Sequence, residues 1–182
     1  MRTPTLILLG LMAAAPALAA QEAAAAAKPE VGTPRAAQVA MLEHQRTMLL
    51  KMADSMPEQF YRDKVTEPQR DFAGQIHHAA SAAAMISQMT MNGQKPTLPD
   101  TATAFNTRAG LKQYVNAAYD YAGALLKGQP AAARAETVKL FGKEMPRWQV
   151  WDEIHMHTVW TAGQVVANFR KHGMAPPSFA FF

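Results

Sequence analysis

Six histidines and no cysteine carry the reactive chemistry of this chain, and two of the histidines sit in patterned surroundings. Between 147 and 173 the polar residues Glu153, His157, Thr161, Gln164 and Asn168 recur at steps of four, four, three and four. Such steps stack side chains along one edge of a helix. Between 71 and 91, Asp71, Gln75 and His78 form a similar stripe, continued by Ala82, Met85 and Met89. If the two stripes face each other, His78 and His157 meet. A divalent metal accepts neutral imidazole, and one further donor would leave an open position for water or substrate. Glu153, one turn before His157, is the carboxylate best placed for that role. Buried histidines bonded to Gln75, Gln164 or Asp71 explain the same stripes, so the metal and the purely structural readings both stand at this point.

The remaining clusters say less. There is no Gly-rich phosphate loop, G-x-S-x-G, C-x-x-C or H-E-x-x-H, so these common catalytic and cofactor motifs are missing. Met85, Met89 and Met91 with His155, Met156 and His157 have the softness of a copper site. Alanine-rich helices also need large flexible fillers, which is the commoner use of Met. Trp148, Trp151 and Trp160 could line a ligand pocket or anchor a helix. Asp152 and Glu153 are adjacent, so on a helix they diverge and do not make a carboxylate pair. His44, His77 and His172 complete the set; a lone helical histidine is more often packed or solvated than ligating.

These residues need helices to position them. The last stripe lies in a segment without internal proline, whose Trp151, Ile154, Val159, Ala162, Val165, Val166 and Phe169 share one broad face at about 100° per residue. Trp160 and Ala167 lie opposite, so that helix is apolar nearly all round and is expected to be buried. A first helix is expected over 34–56, with Thr33 as N-cap, Pro34 in the first turn, and Val39, Leu42, Met48, Leu49 and Met52 facing inward. A proline-flanked connection at 57–70 follows. The second helix spans 71–91, with Phe72, Ile76, Ala79, Ala83 and Ile86 on its apolar side. After a loop at 92–100 a third helix is expected over 103–127, its core stripe including Leu111, Tyr114, Val115, Ala118, Tyr121, Ala122 and Leu125. Residues 129–146 read as either a short helix or an extended piece, and residues 174–182 as a proline-stopped tail whose aromatics pack back. Four long helical segments without convincing strands predict an all-α antiparallel four-helix bundle.

Length and address fit one domain behind a leader. The 182-residue chain opens with Arg2, an apolar run to Ala15, and small residues around Ala17 and Ala19. This is the pattern of a secretory signal peptide over 1–20. An Ala-rich, proline-containing segment over 21–33 has nothing to bury and reads as disordered. The predicted compartment is the periplasm. No other stretch is apolar enough to span a bilayer, so no stable span is expected after cleavage. Losing Arg2 takes the formal charge from +4 to +3. The basic residues are scattered and lack a nucleic-acid motif, so no nucleic-acid partner is expected. Without cysteine there is no disulfide, thiol nucleophile or thiolate ligand.

The segment HTVWTAGQVVANFRKHGMAPPS resembles the C-terminal helix of the DinB/YfiT-like family. That helix carries a His, three residues, a second His, two residues, a Gln, then Arg, Gly and a Pro-Pro exit. His157, Gly163, Gln164, Arg170, Gly173, Pro176 and Pro177 fall on it, and DFAGQIHHAASA resembles the family's second helix. The resemblance implies a four-helix bundle over 34–182, often dimeric, holding zinc or nickel through three histidines. Some family members are thiol-dependent transferases or isomerases, and most have no established activity. His78 falls on the second-helix ligand and His157 on the first ligand of the last helix. Thr161 stands where the second histidine of that pair belongs, and a hydroxyl is a poor ligand for zinc or nickel.

The functional expectation is therefore an exported DinB-like protein with a degenerate divalent-metal site at His78, His157 and Glu153, zinc or nickel ahead of copper. Whether it catalyses anything, and on what, is left open. The alternative is a metal-free bundle that binds a small molecule or acts as a dimeric envelope protein.

Overall fold

The computed structural model describes residues 34–178. The expected leader, the Ala-rich segment, the Thr33 cap and the final Phe-rich residues lie outside the described residues. Within them the chain is mostly helical: α1 Pro34–Ser55, α2 Phe72–Thr90, a short α3 Thr101–Asn106, α4 Arg108–Gly128 and α5 Arg147–Lys171. Two strands, β1 Thr137–Leu140 and β2 Lys143–Pro146, form an antiparallel hairpin just before α5.

Local chemistry accounts for these boundaries. Pro34 opens α1, where its missing N–H is no loss. The Asp71 side chain caps α2 by accepting from the Gly74 N–H at 2.6 Å, while the carbonyls of Tyr61 and Asp63 take the N–H groups of Ala73 and Phe72. Three of the first-turn donors that a helix cannot satisfy internally are thus paired. The expected third helix is two: the chain turns extended at Thr107, whose hydroxyl accepts from the Gly110 N–H at 3.0 Å and starts α4 afresh. α3 and α4 meet so closely at this corner that a Cβ on Gly110 would lie 2.5 Å from the Thr103 carbonyl oxygen.

The hairpin is the element that the sequence pattern did not reveal. Its two-residue turn places Phe141 at φ 46° and Gly142 at φ 84°, the paired positive φ angles of a type I′ turn. Asn-Gly or Asp-Gly usually signals that turn. Here Phe141 takes the strained position, and each strand has only four residues. The hairpin positions α5: the Glu136 carbonyl accepts from the Arg147 N–H at 2.8 Å, and the Glu136 carboxylate pairs with the Arg147 guanidinium at 3.1 Å.

The four long helices share one core. α2 packs on α4 and α5, and α1 closes the other side against the same two helices. The pairs Asp54–Lys112 and Arg46–Asp120 make α1 and α4 antiparallel. The pairs Gln38–Asp152 and Gln45–His155 make α1 and α5 parallel, and Gln75–Gln164 together with His78–His157 makes α2 and α5 antiparallel. α2 and α4 therefore run the same way, and the long connection over 92–107 returns the chain between them. Only some neighbouring helices are antiparallel, short of the expected regular alternation.

Trp151, Ile154, Val165 and Phe169 of α5 are buried with Phe72 and Ile76 of α2, and each such side chain contributes about 1.5–3 kcal/mol by leaving water. α4 is rotated slightly from expectation, so that Tyr119 and Leu126 are fully buried while Tyr121 and Leu125 are half-buried. On α5, Val159 and Trp160 are exposed; among the described residues no neighbouring helix covers that side. Among the described residues no helix is long and apolar enough to cross a membrane.

Candidate functional site

The two polar stripes do meet. Where α2 runs antiparallel along α5, the Gln75 amide donates from Nε2 to Gln164 Oε1 at 2.9 Å, and Gln69 Nε2 donates to the Gln164 carbonyl at 3.3 Å. These bonds fix the register of the helices. One turn further along α2, the rings of His78 and His157 lie with centroids 5.0 Å apart and planes at 69°. Both are half-buried at the edge of the α2/α5 contact.

Both rings are held toward the neutral form. Burial lowers the His78 pKa from its ordinary value, helped by the positive charge of Arg70 and by His157 and His77. Burial also lowers His157, again with Arg70 assisting. A neutral imidazole keeps one ring nitrogen as an acceptor, which is what a metal or a proton donor requires. Arg70, exposed just before α2, is a residue that stripe-counting missed, because it reaches the pair from outside the helical repeat.

The other expected donors stand apart. Glu153 Oε1 accepts from Gln149 Nε2 at 3.2 Å. Among the described residues no three His, Asp or Glu side chains come close enough together to hold a metal ion. Thr161 is buried at 2 % exposure. Asn168, at the end of the stripe, donates from Nδ2 to the Asp63 carbonyl at 3.0 Å, tying α5 to the segment before α2. Measured against a three-donor shell, only the two imidazoles are brought together among the described residues.

The remaining histidines serve other contacts. His155 faces α1, where its Nδ1 lies 3.1 Å from Gln45 Nε2. Gln45 Oε1 accepts from the Tyr119 hydroxyl at 3.3 Å, and that hydroxyl lies 3.3 Å from Thr158 Oγ1. Complete burial pushes the Tyr119 pKa well above its usual value. Residues two apart on a helix point about 200° apart, so His155 and His157 separating onto different neighbours follows from helix geometry. His77 packs against Tyr114 at 4.3 Å and Phe105 at 4.9 Å between ring centroids, with the Arg62 guanidinium 5.1 Å from the centre of the Phe105 ring. Its Nε2 is buried without a partner among the described residues, and burial lowers its pKa. His172 stacks on Phe60 at 3.8 Å. Met85, Met89 and Met156 are exposed rather than gathered around a soft-metal centre, and of the tryptophans only Trp151 is a core anchor.

A separate depression of about 770 Å³ lies beside α4, lined in part by Arg108, Lys112, Gln113 and Asn116, and shares no residue with the imidazole pair. Comparison with known proteins adds no identity: no protein-family model and no curated protein matches the chain.

Proposed function

We propose that this protein is an exported four-helix bundle of the DinB/YfiT-like type, working in the periplasm, that takes a divalent metal between His78 and His157. The carrying observation is the 5.0 Å separation of the two ring centroids. Two imidazoles bound at a tetrahedral angle, with metal–nitrogen distances of about 2.0–2.1 Å, would have centroids roughly 5 Å apart. The lowered pKa values support the same reading, because ligation requires unprotonated imidazole at neutral pH. His78 and His157 would hold zinc or nickel; copper, which would call on the dispersed methionines, is less well served. A metal bound with open positions supplies Lewis acidity toward water or a substrate thiolate. The chain's own contribution is orientation: the Gln75–Gln164 bond holds the register that keeps the rings opposed. Thr161 offers a hydroxyl in place of a third imidazole, so affinity is expected to be weak.

The Gln75–Gln164 bond also favours a second reading, a metal-free bundle whose seam sets helix register. Metal analysis of protein purified without a polyhistidine tag decides between them. The metal reading expects zinc or nickel uptake that is lost in both His78→Ala and His157→Ala. Less than about a tenth of an equivalent of metal, unchanged after incubation with excess, would remove it.

A further inference from the structure

The two imidazoles are half-buried, and exposed apolar side chains lie near them along the same two helices. On α2, Met85 and Met89 follow His78 at steps of seven and four, so all three share one edge of the helix. On α5, Trp160 lies one turn after His157 and Met156 just before it, with exposures of 76 % and 67 %. These four are among the largest apolar side chains left in water by the fold. Trp148 and Val159 of α5 are exposed as well, whereas the other large apolar side chains of α2 and α5 are buried or half-buried.

We infer that a second copy of this chain covers this face and completes the shell, so that His78 and His157 of two protomers hold one metal ion across a two-fold axis. The inference rests on the reading that the pair takes a metal. Three features single out a second copy as the occupant. The first is donor count: structural zinc sites use four protein ligands, and among the described residues no third His, Asp or Glu joins this pair. A two-fold operation supplies two more imidazoles of the same kind without any new residue. The second is surface type. An isologous contact sets a patch against itself, and apolar side chains around the metal would be buried by the same operation that brings the ligands together. The third is charge. Arg70 precedes His78 at the start of α2, while Glu153 lies one turn before His157 on an antiparallel helix. The two thus lie on opposite sides of the pair along the helix direction. A two-fold axis through the pair reverses that direction and sets Arg70 of each copy toward Glu153 of the other. Four apolar side chains are a small patch beside the roughly 800 Å² per partner of a stable interface, so the dimer depends on the metal.

The test is the mass of the full chain, purified without a polyhistidine tag, by light scattering during a zinc titration and again after EDTA. The expected result is a monomer in EDTA that doubles in mass, saturating at about half a zinc per chain. Trp160→Glu, which alters only an exposed side chain, should raise the zinc needed for dimerisation at least about tenfold, with helix content by circular dichroism unchanged. His157→Ala should stay monomeric at every zinc concentration. A monomer that binds one zinc per chain would overturn this inference and leave the metal reading intact. A dimer that ignores EDTA, or one that still forms with zinc in His157→Ala, would also overturn it. Failure to bind zinc at all would remove both.

Discussion

Replacing Gln164 with alanine tests whether the seam between α2 and α5 holds the helices in register. Gln75 is 1 % exposed, and its Nε2 donates to Gln164 Oε1 at 2.9 Å. Its own Oε1 is already buried without a partner among the described residues. Gln164→Ala therefore strands the donor as well, and an unsatisfied buried amide costs about 1–3 kcal/mol. For a domain of this size each kcal/mol moves Tm by about 2–4 °C, so a mid-range 2 kcal/mol lowers it by roughly 4–8 °C. The reverse change behaves differently. Gln75→Leu removes the donor and the orphaned oxygen together, and the half-buried Gln164 can turn to water. Replacing a poorly satisfied buried polar group with an apolar one of similar size is near neutral or stabilising, so Gln75→Leu should stay within about 1 kcal/mol of the parent or exceed it. Urea unfolding with an unchanged m-value is the assay. If Gln75→Leu costs as much as Gln164→Ala, or Gln164→Ala costs nothing, the reasoning about which partner is stranded fails.

Acid should weaken the fold through its histidines. Burial is the leading cause of the lowered pKa values of His77, His78, His155 and His157. Their stabilising contribution is whole above the unfolded value of about 6.5 and is lost as pH falls through the lower folded values. Urea midpoints measured from pH 7.5 down to about 5 should fall, and His77→Phe, which puts an apolar ring between Phe105 and Tyr114, should flatten that decline; an unchanged slope would count against it. Two glycines of α4 should respond in opposite directions to alanine. Gly123 has open space where a Cβ would go, so Gly123→Ala should gain up to about 1 kcal/mol of stability. Gly110→Ala would drive a Cβ to 2.5 Å from the Thr103 carbonyl oxygen and should lower the thermal midpoint.

Much of this molecule is legible in local patterns. Apolar spacing, with Pro34 in the first turn, locates the first, second and last long helices to within a few residues and the end of the third, and the same arithmetic puts His78 and His157 on polar edges. Helical periodicity is a property of the backbone, so side chains that share an edge can be read from spacing alone. The hairpin escaped that reading because its strands are four residues long and its turn is Phe-Gly. The break at Thr107 escaped it because a threonine cap inside an apolar repeat is a weak signal until Gly110 is seen against Thr103.

What the sequence by itself determined is therefore the helical segments and which residues line each edge, because both follow from repeat geometry along one stretch of chain. Tertiary structure alone decided which edges meet. Packing of α2 against α5 in one register brings two imidazoles together and leaves Glu153 with Gln149. It turns His155 toward Gln45, and it leaves Trp160 and Met156 in water on a helix whose all-round apolar character reads as buried. Apart from the Glu153–Gln149 bond within one turn of α5, those outcomes depend on contacts between residues about eighty or more positions apart, and helical spacing holds no information about them.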